Sequence, residues 1–286
     1  MTPGAHGFPL DDAALAALVR TALNEDAADR DITTIATVRA AERARARLVA
    51  RQAGVISGVP LALATFRALD AEVSIRVDAD DGATLAAGQD VLFISGHARA
   101  MLGAERTALN FLQRLSGVAS LTQAYVRAVA GTRAVIVDTR KTTPGWRALE
   151  KYAVRCGGGR NHRMDLAEAV LIKDNHLEAV GGDIAEAVRR VRADAAPGTV
   201  VQVECDTLEQ VVAAIESGAE SVLLDNMTSD QLCTAVTIVG GRAITEASGG
   251  VTLTTVRAIA ETGVDRISVG ALTHSAPALN LALDFD

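Results

Sequence analysis

From about residue 133 onward, the chain repeats one pattern: a short apolar run, a loop, and a segment with helical periodicity. Six apolar runs cover residues 134–138, 169–173, 200–204, 221–225, 243–246 and 266–270. Their starts lie about 21 to 35 residues apart, which is the size of a βα unit. Helix-period segments lie between them at 184–192, 208–217, 230–239 and 253–261. This repetition predicts parallel strands joined by helical crossovers, and therefore an α/β fold.

Five of the six apolar runs end on a titratable residue. These residues are Asp138, Lys173, Glu204, Asp225 and Glu246. In α/β barrels, catalytic side chains stand at the carboxyl ends of several different strands. A doubly wound open sheet also alternates strand and helix, but it rarely has a charge at almost every strand end. The pattern therefore favours a barrel with its site at the strand ends.

The first 130 residues follow a different pattern. Helices are predicted over residues 10–23 and 60–69, and one long or broken helix is predicted from residue 99 to beyond Gly117. Segments 45–55, 72–79 and 90–95 alternate or run apolar like strands, with a turn signal at residues 80–82. This part of the chain is predicted to be a small α+β domain.

Composition excludes several classes of protein. The chain has 286 residues, is 49% hydrophobic and has a net charge of −7, which argues against a protein that coats nucleic acid. No stretch approaches eighteen apolar residues, so no membrane span is expected. Residues 1–12 lack the basic-then-apolar order of a signal peptide. The three cysteines form neither a CxxC pair nor an even disulfide framework, so a cytoplasmic location is expected.

The basic residues are unevenly distributed. Residues 138–163 contain seven Lys or Arg against two acids, which makes a compact positive segment in an acidic chain. Such a segment suits a small anionic ligand held in a cleft, although a solvated helix face is an equal alternative. Of 28 basic residues only Lys141, Lys151 and Lys173 are lysines. Lysine is a compact charge that arginine does not replace, so these three positions are candidates for chemistry.

Two glycine-bearing loops are associated with the last two predicted strands, at residues 245–250 and 268–271, and each precedes a helical segment. Glycine lets backbone N–H groups approach an anion closely, and the loops after the final strands of a barrel are frequent phosphate sites. Glu204 and Asp225 are candidates to bind Mg²⁺, accept hydrogen bonds from sugar hydroxyls or stabilise a developing cation. Lys173 is a candidate anion ligand or Schiff-base lysine. The five histidines show no zinc-binding spacing.

Several motifs resemble those of one enzyme family. They are DTRKTTPGWR at 138–147, KYAVRCGGG at 151–159, NHR at 161–163, LIKDNH at 171–176, VE at 203–204, LDN at 224–226, SGG at 248–250 and VGALTH at 269–274. Upstream, ED at 25–26, DITT at 31–34 and ERTALNF at 105–111 also match. These motifs resemble quinolinate phosphoribosyltransferase, also called nicotinate-nucleotide pyrophosphorylase (carboxylating). Gln202 departs from the pattern, because the family often has Glu there.

The resemblance implies a fold and a reaction. The fold would be an incomplete α/β barrel with an N-terminal open-faced α/β sandwich. The sandwich would cover residues 1–117, completed by 275–286, and the barrel would cover 118–274. The enzyme would be a pentosyltransferase of NAD biosynthesis that joins quinolinate to 5-phosphoribosyl-1-pyrophosphate and releases pyrophosphate and CO₂. Nicotinate mononucleotide would be the other product. The subunits would form at least a homodimer with shared active sites.

The resemblance also implies roles for individual residues. The quinolinate carboxylates would be surrounded by Arg140, Arg163, His162, Lys173 and Thr139. Arg106 would also bind substrate, from a position over the neighbouring subunit's site. Lys141, Glu204 and Asp225 would be the catalytic residues, with Lys141 near the pyrophosphate and the two carboxylates on the ribose hydroxyls. Mg²⁺ would be held mostly through the substrate, with Glu204 and Asp225 as candidate ligands. The 5′-phosphate would bind Ser248, Gly249, Gly250, Val269, Gly270 and Ala271, with His274 beside it.

Three alternatives remain open on the sequence alone. A paralogue would transfer phosphoribose to another small pyridine acid, and the number of cationic contacts distinguishes a monoacid from a diacid. An aldolase would form a Schiff base with Lys173. A non-catalytic anion-binding protein is disfavoured, because so many strand ends carry titratable groups.

Overall fold

The computed structural model describes residues 7–286. Residues 1–6 lie outside that range. The prediction that residues 1–12 form no signal peptide therefore falls partly outside the described residues. The described chain groups into two compact units. The first comprises the described residues up to Gln123, Thr143–Gly158 and Leu272–Asp286, and the second comprises Ala124–Thr142 and Gly159–Ala271. The domain boundaries predicted from the sequence, at 117/118 and 274/275, stay a prediction.

The amino-terminal half contains both helices and antiparallel strands. In chain order they are α1 (Asp12–Glu25), a 3₁₀ turn (Ala28–Arg30), α2 (Ile32–Thr37), β1 (Arg43–Ala50), β2 (Gly54–Val55), α3 (Val59–Leu69), β3 (Ser74–Val77), β4 (Thr84–Leu85), β5 (Asp90–His97) and α4 (Ala98–Ala128). The segment predicted as one long or broken helix is therefore a single helix of 31 residues. Its glycine at position 117 is required, because a Cβ there would collide with the carbonyl of Pro277.

The carboxyl-terminal half alternates strands and helices. In chain order they are β6 (Val135–Val137), α5 (Arg147–Cys156), β7 (Val170–Ile172), α6 (Asp174–Glu178), α7 (Ile184–Asp194), β8 (Val201–Cys205), α8 (Leu208–Glu216), β9 (Ser221–Asp225), α9 (Ser229–Val239), β10 (Ile244–Ser248), α10 (Val256–Glu261), β11 (Arg266–Ser268), α11 (Ala271–His274) and β12 (Leu281–Phe285). Capping boxes start two of the helices, with Thr207 and Gln210 at α8 and Thr228 and Gln231 at α9.

The first unit has a four-stranded antiparallel sheet in the order β12-β1-β5-β3. Side chains of β1 alternate, so that Ala46 and Leu48 are buried while Arg45 and Arg47 are exposed. The buried face joins a core with side chains such as Phe66 of α3. Helices cover one face and water meets the other, which is the open-faced α/β sandwich expected from the resemblance.

The second unit has a six-stranded parallel sheet in the order β6-β11-β10-β9-β8-β7. Its strands are apolar on both faces, as β9 illustrates with the successive residues Val222 and Leu223 both buried. Within residues 7–286 the edge strands β6 and β7 do not pair with each other, so the barrel is not closed. The predicted fold class, an incomplete α/β barrel with a sandwich domain, is confirmed.

The strand predicted over 243–246 is displaced in the structure. β10 continues to Ser248, and Glu246 lies inside the strand with no exposed surface. The interpretation of Glu246 as a strand-end residue is therefore wrong, and Ser248 has that position, paired in register with Asp225. The end of the strand was predicted too early because the apolar run stops at the charged Glu246, whereas Ala247 continues the strand beyond it.

Among the helices described in residues 7–286, none combines the length and the apolar character that crossing a bilayer requires.

Candidate active site

A pocket of about 370 Å³ opens where the strands of the parallel sheet end. Its lining residues are Thr139, Arg140, Lys141, His162, Arg163, Leu171, Lys173, Glu204, Leu223, Asp225, Glu246, Ser248 and Ser268. All of them belong to the second unit. Nine are residues predicted as site residues from the sequence. The pocket thus gathers cations, carboxylates and hydroxyls from every strand of the sheet.

A larger pocket of about 620 Å³ lies between α1 and α3 in the first unit. Its floor is formed by aliphatic side chains such as Val19 and Leu23, and its polar lining residues are exposed. Titratable groups do not converge there as they do at the strand ends. The convergence of titratable groups therefore makes the smaller pocket the candidate active site.

Two arginines stand together in the pocket at the strand ends. Arg163 is anchored by a hydrogen bond of 2.9 Å from its Nη1 to the carbonyl of Ala169. Burial and the neighbouring charge of Arg140 lower the pKa of Arg163. The Nε–H of Arg140 is buried and has no hydrogen-bond partner among the described residues. Two like charges held close together, one with an unused buried donor, make a receptor for an anion with more than one charge.

Lys173 lies between the pocket and the start of α6. Its Nζ is 2.6 Å from Oε2 of Glu204 on the neighbouring strand β8. Its backbone N–H donates to Nδ1 of His176 at 2.9 Å, which closes the first turn of α6. His176 therefore fixes the backbone that carries the pocket lysine.

The ends of β9 and β10 are locked together by Asn226. Its backbone has a positive φ of 53°, its N–H donates to the carbonyl of Ser248 at 2.9 Å, and its Nδ2 donates to Oδ2 of Asp225 at 2.6 Å. A side chain at Gly249 would collide with the Asn226 amide. Asn226 thus orients the Asp225 carboxylate, and glycine at position 249 makes room for it. Asn226 belongs to the sequence motif LDN at 224–226, but no role was predicted for it.

His162 forms part of the pocket wall with only 14% of its side chain exposed. Its backbone N–H donates to Oδ1 of Asp138 at 2.9 Å, and Asn161 donates to the other oxygen of the same carboxylate. Asp138 is completely buried after β6. Its role is to hold residues 161 and 162 against the end of that strand.

The predicted phosphate-binding residues lie in the two loops that follow β10 and β11. Gly249 and Gly250 both have positive φ, and only Ser248 of the first loop lines the pocket. Val269 is buried, and its N–H donates to the carbonyl of Val137 at 3.0 Å. Gly270 precedes Ala271, the first residue of the four-residue helix α11. The phosphate role of these loops stays a prediction.

Two predicted site residues lie in the first unit. Arg106 is exposed on α4. His274 ends α11, and its Nδ1 lies 2.6 Å from the hydroxyl of Ser275. Neither residue lines the pocket.

Two lining residues, Leu171 and Leu223, had no predicted role, Ser268 was predicted only as part of a glycine-bearing loop, and Glu246 only as a charge at a strand end. Gln202, which donates to Glu246 and is not among the lining residues, was noted only as a departure from the family pattern. The signal that was available is the two-residue periodicity of β8, which places Gln202 and Glu204 on the same face of the strand.

The carboxylate oxygens that line the pocket are of the type that Mg²⁺ prefers as ligands. Within residues 7–286 no group of three His, Cys, Asp or Glu side chains forms a metal cage. Glu204 and Asp225 nevertheless line one pocket from neighbouring strands. Mg²⁺ commonly binds through one or two carboxylates plus water and substrate phosphates, and these residues fit that mode.

The sequence matches two family models over nearly the whole chain. Residues 31–116 match the quinolinate phosphoribosyl transferase N-terminal domain, and residues 118–284 match its C-terminal domain. The chain belongs to the quinolinate phosphoribosyltransferase family. The resemblance seen in the sequence motifs is therefore confirmed.

Relatives in this family come from distant organisms. Nicotinate-nucleotide pyrophosphorylase (carboxylating) of Mycobacterium leprae (strain TN) is 47% identical over 272 residues, covering 93% of this chain and 95% of the relative. The chloroplastic enzyme of the same name from Oryza sativa subsp. japonica is 40% identical and covers 100% of this chain and 80% of the relative. The solved nicotinate-nucleotide pyrophosphorylase of Francisella tularensis superposes with a TM-score of 0.90 at 37% identity, with 98% of each chain covered.

Proposed function

We propose that this phosphoribosyltransferase transfers the phosphoribosyl group of 5-phosphoribosyl-1-pyrophosphate to the ring nitrogen of quinolinate. Decarboxylation follows and gives nicotinate mononucleotide, pyrophosphate and CO₂. The observation that carries the proposal is the arrangement of charges in the pocket. Arg140, Arg163 and Lys173 supply cations for a dicarboxylate, while Glu204 and Asp225 supply acceptors for ribose hydroxyls.

The two arginines would bind and orient the pyridine ring. Guanidinium groups hold carboxylates through paired hydrogen bonds, which fix a planar ring in one orientation. Because the Nε–H of Arg140 is buried without a partner, binding a carboxylate would also satisfy a donor that is otherwise costly to bury. The orientation brings the ring nitrogen towards C1 of the ribose.

The two carboxylates would stabilise charge on the sugar. As the bond from C1 to pyrophosphate breaks, positive charge develops on the ribose ring, and Glu204 and Asp225 provide fixed negative charge nearby. The ring nitrogen then bonds to C1 and becomes a pyridinium cation. That cation accepts the electrons left when the adjacent carboxylate departs as CO₂, and the carbon takes up a proton.

Lys141 and Mg²⁺ would act on the leaving group. Lys141 lines the pocket next to Arg140, and a compact ammonium suits a pyrophosphate oxygen. When bound through the substrate and the carboxylates of Glu204 and Asp225, Mg²⁺ would neutralise charge on the departing pyrophosphate. Ser248 and the loops after β10 and β11 would bind the 5′-phosphate, with His274 beside it.

The enzyme would work as a homodimer or a higher oligomer with shared sites, with Arg106 of one subunit reaching the site of another. A reducing compartment such as the cytoplasm is supported by the three cysteines, all free thiols, of which Cys233 is exposed. The Schiff-base alternative gains no support, because a Schiff base needs a neutral amine and Lys173 is ion-paired with Glu204.

The test is direct. Pyridine-2,3-dicarboxylate, 5-phosphoribosyl-1-pyrophosphate and Mg²⁺ are incubated with the protein, and CO₂, pyrophosphate and the nucleotide are measured. We expect equal amounts of all three. Nicotinate in place of the dicarboxylate is the matched control, and it should react at least tenfold more slowly because one cationic contact pair is lost. Turnover of nicotinate alone would instead identify a paralogue with a monoacid substrate.

A further inference from the structure

A carboxylate without any exposed surface lies beneath the pocket. Glu246, in the middle of β10, is 0% exposed. Its Oε2 accepts a hydrogen bond of 3.1 Å from Nε2 of Gln202, and its Oε1 lies 3.4 Å from Nε2 of His162. Burial raises the pKa of Glu246, but the nearby His162 ring and hydrogen bonds from Gln202 and Ser268 outweigh this effect, so its pKa lies below the usual range. The direction of this shift favours the ionised form of the buried carboxylate, whose Oε1 has no hydrogen-bond partner among the described residues.

The hydrogen bonds around His162 define its tautomer. The backbone N–H of Arg163 can only donate, and it lies 2.8 Å from Nδ1 of His162, so Nδ1 accepts. The hydrogen of the neutral ring is then on Nε2, which lies 3.1 Å from Oε1 of Gln202. Because that amide oxygen accepts, the amide nitrogen of Gln202 faces Glu246 and donates to it.

These bonds form one chain in which every donor points the same way. The Arg163 backbone donates to His162, His162 donates to Gln202, and Gln202 donates to the carboxylate of Glu246. A buried anion at the end of such a chain strengthens each bond in it. Both ring nitrogens of His162 thus have partners within the protein.

We propose that Glu246 is a positioning residue, which acts through Gln202 and His162 to fix the backbone of Arg163 and so the place of its guanidinium. This inference rests on the proposed function, since Arg163 is argued there to hold a substrate carboxylate. His162 then supports the arginine and does not bond the substrate through its ring nitrogens, which differs from the role that the resemblance implies for it.

The first experiment reads the tautomer of His162 and needs no turnover. Nitrogen-15 NMR spectra of the histidine side chains are recorded without ligand and with saturating pyridine-2,3-dicarboxylate, and the protein with His162→Gln assigns the signal. We expect the tautomer with hydrogen on Nε2 in both states. A hydrogen on Nδ1, or a change of tautomer or protonation when the dicarboxylate binds, would overturn the proposal. Absence of catalytic activity would not affect this measurement, so the two failures are distinguishable.

The second experiment measures the effect of the buried carboxylate on each substrate. Glu246→Gln keeps the shape and removes the charge. We expect the KM for the dicarboxylate to rise about tenfold, as for loss of one hydrogen bond to a charged group. The KM for the phosphoribosyl donor should change less than about twofold. Gln202→Met interrupts the same series of hydrogen bonds at another residue and should give the same selective rise in the KM for the dicarboxylate. If Glu246→Gln does not fold, Gln202→Met is the variant that tests the proposal.

The same substitution in two arginine backgrounds separates positioning from general damage. If Glu246 acts through Arg163, Glu246→Gln should add little to the effect of Arg163→Lys on the KM for the dicarboxylate. In the matched background Arg140→Lys it should keep its full effect. Equal losses for both substrates, or full additivity with Arg163→Lys, would show that Glu246 serves only the stability of the fold.

Discussion

The ammonium of Lys173 and the carboxylate of Glu204 form an ion pair, 2.6 Å apart, across the neighbouring strands β7 and β8. The lysine is 45% exposed and the glutamate 13%. The pair therefore stands at the edge of the pocket, where water competes for the lysine more than for the glutamate. A substrate carboxylate that binds Lys173 must share the ammonium with Glu204, so that substrate binding and the orientation of Glu204 are linked.

This link predicts that Lys173→Arg loses most of the activity although the charge is retained. A planar guanidinium cannot replace a compact ammonium in a single short contact. We expect kcat/KM to fall by at least about tenfold. Arg189→Lys, at an exposed ion pair with Glu186 on α7, is the matched exchange and should leave kcat/KM unchanged. Activity near that of the unmodified chain for Lys173→Arg would show that position 173 does not require lysine.

Lys141→Arg is expected to act on a different step. Lys141 lines the pocket next to Arg140, and its backbone N–H donates to the hydroxyl of Thr139 at 3.1 Å. If its ammonium binds the pyrophosphate, kcat should fall by at least about tenfold while the KM for the dicarboxylate stays within about twofold. Steady-state kinetics with each substrate varied in turn make the measurement. A rise in the dicarboxylate KM with unchanged kcat would place Lys141 at the pyridine instead.

Much of the fold follows from local pattern. Each βα repeat was visible because parallel strands buried on both faces are short apolar runs, and β9 occupies the same residues that the pattern indicated. The segment 45–55 was predicted as one strand, whereas the structure divides it into β1 and the two-residue β2. The five-residue helix α6 was not predicted, because an element this short has no periodicity to detect. For the basic segment a solvated helix face was one of two alternatives, whereas helix α5 in that segment buries Leu149, Tyr152 and Val154.

The charged residues of the pocket were predictable from the sequence, but the hydrogen bonds that hold them in place were not. Lys173 and Glu204 were found because charge at the end of an apolar run is unusual, and Arg140 because it lies in the basic segment. The hydrogen bonds that join Gln202 to Glu246 and to His162 were not predictable, since these partners lie about 40 residues apart in sequence. Only the register of the parallel sheet brings them together.

Glu150 of the basic segment forms a partly buried ion pair with Arg114, which charge counting along the sequence cannot distinguish from a solvated pair. Glu150 is 0% exposed, and its Oε1 lies 2.6 Å from Nη2 of Arg114. It also accepts hydrogen bonds from the backbone and the hydroxyl of Thr143. Glu150→Ala removes the counter-charge of Arg114, whose side chain is 28% exposed, and breaks the hydrogen bonds from Thr143, so we expect a loss of about 2–3 kcal/mol in the free energy of unfolding.

Urea denaturation checks that value against an exposed pair of the same residue types. Glu261→Ala removes the partner of Arg257 on α10, where both side chains are at least half exposed. That substitution should cost less than about 1 kcal/mol. A similar small cost for Glu150→Ala would mean that the partly buried pair contributes no more than a surface pair.

Removal of divalent metal is expected to abolish turnover. The leaving pyrophosphate needs neutralisation of its charge, and the pocket offers two lysines, one of them paired with Glu204. Activity should disappear in excess EDTA and return when Mg²⁺ is added beyond the chelator. Dicarboxylate binding measured by calorimetry in EDTA is the control, and it should persist because the arginines do not need the metal. Full turnover in EDTA would contradict the proposed role of Mg²⁺.

If active sites are shared between subunits, as proposed, two inactive chains should complement each other. Arg106 is exposed on α4 and does not line the pocket that contains Lys141. If Arg106 acts on a neighbour's site, Arg106→Ala and Lys141→Ala should each be nearly inactive alone. In a mixed dimer one site would then lack both groups and the other would have both intact. With random pairing half of the dimers are mixed, so about one quarter of the normal number of sites should return.

Measurement of this recovery requires that subunits exchange. The two chains carry different affinity tags, are unfolded together and refolded, and the doubly tagged dimer is isolated before its rate is measured. A rate near half that of the unmodified dimer is expected for the isolated mixed species, since one of its two sites is intact. If Arg106 serves its own subunit, every site in the mixed dimer carries one substitution. The isolated species would then be as inactive as either parent, and the shared-site model would be wrong.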